Sequence, residues 1–269
     1  MSAFCRYIGI DYSGAETPES SLKGLRVYCA VGESAACEVP PPPSLRKHWT
    51  RRGIAHWLAE RLAEDVATIV VIDHGFSFPL RYFEAHRLPP DWPTFLEDFQ
   101  RHWPTDGAHT YVDFVRDGLA GNGAARSGSA RWKRLTEERA GSAKSVFHFD
   151  VQGQVAKSTH AGIPWLLYLK RQGNNRVHFW PFDGWRIPVG SPAVVEVSVN
   201  RRRRLCPLEQ ASAMAEEFGH NEDGKRVHHA GRQSSLGKPG SCKDDHVLAR
   251  PGSLALDDQI GRASCRERV

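Results

Sequence analysis

Long hydrophobic runs are missing from this chain. None approaches the roughly 20 apolar residues that span a bilayer, and the opening MSAFCRYIGI has no basic stretch ahead of an apolar one. Neither a membrane segment nor a secretory leader is expected. Cysteine is sparse: the residues at 5, 29, 37, 206, 242 and 265 show no C-x-x-C spacing and no histidines at zinc-finger distance. Neither a disulfide framework nor a structural zinc is signalled, and the chain reads as a cytoplasmic protein with reduced thiols. Strong charge of one sign is absent as well. The net charge is +5 with a pI near 8.9, compatible with a polyanionic partner but too mild to argue for one. Aromatics disappear towards the C-terminus: of 8 Trp, 6 Tyr and 12 Phe, only Phe218 lies beyond Asn200. Residues 200–269 therefore lack the apolar content that offsets ordering entropy, and they are expected to form a largely disordered tail.

What is present is organised around Arg6–Gly14, RYIGIDYSG. Tyr7, Ile8 and Ile10 read as a short buried strand that ends in Asp11, where Ser13 and Gly14 break it. The pattern returns in TIVVIDHGFSF, where Ile69 to Ile72 run into Asp73. A carboxylate at the end of an apolar strand loses part of its hydration and needs a compensating partner. Ligands collect at the carboxyl ends of parallel strands, so Asp11 and Asp73 are expected to face each other across one site; the alternative is that each caps the turn that follows. A third acid, Glu196, sits in AVVEVSV, a run otherwise suited to burial, where a lone glutamate is as often ion-paired as functional.

The remaining pattern gives strands at Leu25–Val31 and Ala36–Val39, the latter stopped by Pro40–Pro43. Thr50 is placed to cap a helix over Arg51–Asp65, whose Ile54, Trp57, Leu58 and Leu62 share one face. The order is β-β-β-α-β. A helix is expected at Pro93–Trp103, a strand or extended segment at Ser145–Asp150, and a buried helix at Thr159–Arg171 with Pro164 near its start. Strands at Val177–Phe182 and Ala193–Val199 complete the reading. Between Asp117 and Lys144 lies a Gly-, Ala- and Ser-rich insertion with Arg131, Lys133, Arg134 and Lys144 around Trp132. It is either a solvated loop or a surface that neutralises phosphates and stacks a base.

These blocks, GIDYSGAETPESSLKGLRVY, VVIDHGFSFPLRYFE, the stretch from Arg131 to Arg171, VHFWPFDGW and VVEV, resemble the predicted RNase H-like nuclease family catalogued as domain of unknown function 429. The resemblance covers roughly residues 5–197. It implies an α/β domain over residues 1–199, a ribonuclease H-like mixed sheet with its second strand antiparallel and helices on its flanks. It also implies a carboxylate site for Mg2+ or Mn2+ and a nucleic-acid partner, DNA or RNA. Asp11, Asp73 and Glu196 would be the metal ligands. His74 would shuttle a proton or orient a carboxylate, or else be structural. Ser13, Arg131, Lys133, Arg134, Lys144 and Lys157 are the candidates for substrate contact. The family's later helix with a histidine-aspartate pair has no counterpart after Asn200, where the ending GRASCRERV resembles translated adapter sequence, so the tail reads as frameshifted or chimeric. Two rivals stand beside the nuclease reading. GIDYSG fits the phosphate turn of an actin- or sugar-kinase-like nucleotide-binding protein, and an RNase H-like scaffold without its last ligand could bind nucleic acid non-catalytically.

Overall fold

Alternating burial in Arg6–Asp11 (β1) and unbroken apolar character in Thr68–Ile72 (β4) make these two strands the centre of a sheet. In this computed structural model, residues 4–141, 143–149 and 155–197 are described. The expected tail of residues 200–269 lies outside them. Six strands form one mixed sheet in the order β3-β2-β1-β4-β6-β5, with β2 at Arg26–Val31, β3 at Cys37–Val39, β5 at His178–Trp180 and β6 at Ala193–Glu196. The second strand runs antiparallel to both its neighbours, while β1, β4, β6 and β5 are parallel. Helices flank this sheet, so the α/β class and the antiparallel second strand both stand.

Register decides which side chains share a face. Ile8, Ile10, Val70, Ile72 and Val194 project together into the main core. There they meet Ile54, Leu58 and Leu62 of Arg51–Ala63 (α1) and Ile163, Leu166 and Leu169 of Val155–Gln172 (α6). Each such fully buried side chain contributes about 1.5–3 kcal/mol. The other face carries a smaller cluster of Phe4, Ile69 and Ala193, with Tyr7, Val71 and Val195 half-buried beside it. Thr50 caps α1 by accepting from Gly53 N–H at 2.9 Å.

Leu80–His86 (α2), Trp92–His102 (α3) and Val112–Arg116 (α4) surround an aromatic core centred on Phe78. The Phe78 ring lies 4.6 Å from Phe147, 4.8 Å from Tyr82 and 5.0 Å from His160, centroid to centroid. That cluster explains one correction. Residues 145–149 are not a strand: His148 N–H bonds the Ser145 carbonyl, and the turn inserts Phe147 among the rings.

A second correction concerns α6, which begins at Val155 rather than Thr159, so that Pro164 lies in its interior. Proline has no N–H to give the carbonyl four residues back. The orphaned His160 carbonyl accepts instead from the Thr105 hydroxyl at 2.7 Å, and the helix continues. The insertion at 117–144 also holds more order than expected, with a 3-10 turn at Gly123–Arg126 and a short helix at Leu135–Arg139 (α5). Among the described residues no helix is long and apolar enough to cross a membrane.

Candidate functional site

Asp11 closes β1, and Asp73 follows β4 directly. Because Ile10 pairs with Ile72 in a parallel ladder, the two aspartates come next in register and project from the same face. Tyr12 N–H donates to Asp73 Oδ1 at 2.7 Å. Burial, and after it the neighbouring Asp11 carboxyl, push the Asp73 pKa up to about 7 against the pull of the Tyr12 amide. Near neutrality Asp73 therefore keeps its proton more readily than an ordinary carboxyl, because its charge would be buried beside that of Asp11.

Glu196 does not join them. It pairs in register with Ile72, one residue out of phase with Asp73, so the pleat sends it to the opposite face. There both its oxygens accept from Arg134 Nη1, at 2.8 and 2.9 Å, and Oε2 also takes the Phe76 N–H at 2.7 Å. Arg134 further donates through Nε to Glu137 Oε1 at 3.0 Å, with all three side chains at most 6% exposed. Burial raises the Glu137 pKa, partly offset by Arg134. Glu196 is therefore one arm of a buried ion triad. Among the described residues no group of three or more His, Cys, Asp or Glu side chains is placed to hold a metal ion, which corrects the expected three-carboxylate set.

His74 follows Asp73 but turns into the core, 1% exposed. Its ring packs edge-on against Tyr12 at 4.5 Å, and Nδ1 meets the Gly75 carbonyl at 3.0 Å. A Cβ on Gly162 would lie 2.4 Å from this ring, so α6 needs glycine there to approach it. Burial lowers its pKa to about 4. The imidazole is neutral and enclosed, the structural alternative rather than a proton carrier.

The candidate substrate contacts separate into two groups. Arg134 is consumed by the triad, and Lys157 binds Asp113 at 2.7 Å, so neither meets phosphate in this arrangement. Arg131 and Lys144 are exposed and Lys133 is half-buried, which keeps these three compatible with a polyanion. Ser13 Oγ accepts from Ala15 N–H at 3.4 Å within the turn after β1.

Two residues that hold this region were not foreseen. Arg51, at the start of α1 and fully buried, donates to the Ser13, Ala15 and Glu16 carbonyls and ties the β1 turn to the helix. Gly14 in that turn lies so close to α6 that a Cβ would meet the Lys157 carbonyl. Proximity of Arg51 to a loop many residues upstream leaves no local sequence signal. The Ser-Gly step that ends GIDYSG at least marks Gly14 as special.

No family model, curated protein or solved structure matches the chain. The chemistry of the site rests on its residues. Two hard carboxylate oxygen donors at adjacent strand ends fit one hydrated magnesium or manganese ion, which keeps most of its waters and takes one or two carboxylates. They do not suffice for a pair of ions.

Proposed function

We propose that this chain is a ribonuclease H-like phosphodiesterase whose divalent cation is held by Asp11 and Asp73. The observation that carries this reading is the carboxyl pair itself, set at the carboxyl ends of adjacent parallel strands, with the Asp73 pKa raised to about 7 by burial and by its neighbour. The second strand's antiparallel course and the resemblance of the strand-end motifs support the same class. When bound, the cation would supply Lewis acidity and a bound water of lowered pKa. Asp11 and Asp73 would fix its place, and Tyr12 N–H would hold the Asp73 carboxylate still. Arg131, Lys133 and Lys144 would meet the phosphates of DNA or RNA.

The engagement of Glu196 by Arg134 favours one second reading, a nucleic-acid-binding scaffold without cleavage. One set of measurements tests both. The full chain is titrated with Mg2+ and Mn2+ by calorimetry and assayed on single- and double-stranded DNA and RNA. Binding that Asp11→Asn and Asp73→Asn each abolish, with cation-dependent cleavage, is the expected result. Nucleic-acid binding with no cation affinity would replace the nuclease by the scaffold.

A further inference from the structure

The edge of the sheet holds a feature unrelated to the carboxyl pair. Cys29 in β2 and Cys37 in β3 are direct cross-strand partners in an antiparallel ladder, so their side chains leave the same face side by side. Residues directly opposite in such a ladder have Cα atoms about 4.5 or about 5.5 Å apart. Both spacings fall inside the roughly 4.4–6.8 Å range that a disulfide accepts. The register is locked from the other face: Arg26 binds Glu38 through Nε at 3.0 Å and Nη2 at 2.6 Å, and its guanidinium lies 5.2 Å from the Tyr28 ring centre. Slippage by one residue would break that bidentate pair and separate the thiols.

We propose that Cys29 and Cys37 form a site of reversible oxidation, a cross-strand disulfide that bolts the edge strand β3 to β2. The two thiols differ in the way such a reaction needs. Cys37 is exposed and open to an oxidant, whereas Cys29 is half-buried against the main core and placed to resolve. In the reduced state each thiol leans on a nearby carbonyl, Cys29 on Ala30 at 3.9 Å and Cys37 on Ala35 at 3.7 Å, weak contacts that rotation about χ1 releases.

The oxidant is a low-molecular-weight disulfide, RSSR. The Cys37 thiolate attacks one of its sulfurs, forming a mixed disulfide and expelling RS⁻. The Cys29 thiolate then attacks Cys37 Sγ, expelling the second RS⁻. The protons from the two cysteines go to the expelled thiolates. Two protein thiols are thereby oxidised to one disulfide, and RSSR is reduced to two RSH. Burial raises the Cys29 pKa, so the resolving step should quicken as pH rises.

The test uses the full chain, folded, with oxidised glutathione. After an acid quench and alkylation, cleavage at Glu33 separates the two cysteines, and mass spectrometry reads the link. The expected result is a Cys29–Cys37 cross-link, reversed by dithiothreitol, in a protein whose Tm has risen by several degrees. In Cys29→Ser, Cys37 should remain stably glutathionylated. Lasting glutathionylation of Cys37 in the unsubstituted protein would overturn the proposal. So would a link from Cys37 to any other cysteine, or a Cys29–Cys37 link that forms only in denaturant.

Discussion

Thr105 donates its hydroxyl to the His160 carbonyl at 2.7 Å, replacing the hydrogen bond that Pro164 cannot make inside α6. The bond is buried, and removing its donor takes away the partner of a buried carbonyl. Thr105→Val should therefore lower stability by about 1–3 kcal/mol in urea melts. Adding Pro164→Ala, which restores an N–H at the right place, should recover part of the loss. No recovery in the double variant would show that the hydroxyl serves another partner.

Asp73 makes stability depend on pH in an unusual sense. Its folded pKa, about 7, exceeds the ordinary 3.8, so between those values the native state holds more protons than the unfolded chain and stability falls as pH rises. Asp73→Asn removes that penalty. Its Tm advantage over the parent, measured in chelator, should widen from about pH 5 to about pH 8. Added magnesium should narrow the gap by stabilising the parent alone. A difference constant across pH would rule out the raised Asp73 pKa.

His160 works in the opposite direction. Enclosed by Phe78, Phe99, Trp103 and Phe147, it has its pKa lowered by burial to about 3, against 6.5 when exposed. Below 6.5 the unfolded chain takes up a proton that the native state refuses, costing about 1.4 kcal/mol per pH unit. His74 acts in the same sense. His160→Phe should gain on the parent as pH falls from 6.5 towards about 4, read as the difference in urea midpoints. Parallel midpoint curves would refute the assignment.

The triad of Arg134, Glu137 and Glu196 predicts sharp non-additivity. Arg134→Met strands two buried acids and should cost about 3–5 kcal/mol. Arg134→Met with Glu137→Gln and Glu196→Gln should recover most of it. Glu196→Gln alone should leave cation affinity unchanged, because Glu196 faces away from Asp11 and Asp73. A large drop in affinity would return Glu196 to the ligand set.

The strand ends at Asp11 and Asp73 were legible because an apolar run stopped by an acid leaves little freedom of interpretation. The fate of Glu196 was not. Its type and strand were readable, but its face depends on a register with β4 that one residue of slippage would reverse. Arg134 shows the same limit from the other side: a cation in a basic stretch looks solvated until its acid arrives from 62 positions away. Pro164 carried a signal that was misassigned. An interior proline leaves a carbonyl to be satisfied, and placing it near the helix start hid that demand.

The separation in sequence between the two halves of the carboxyl pair has a kinetic consequence. The β1-β2-β3 meander joins near neighbours, but Tyr12 and Asp73 are 61 positions apart. Bringing chain ends together over that span costs about 3.6 kcal/mol in loop closure before any contact repays it. The meander can therefore precede the pairing of β1 with β4, and the carboxyl pair does not exist until that pairing is complete. A cation held there would slow unfolding far more than it hastens refolding, because it binds what the chain assembles late.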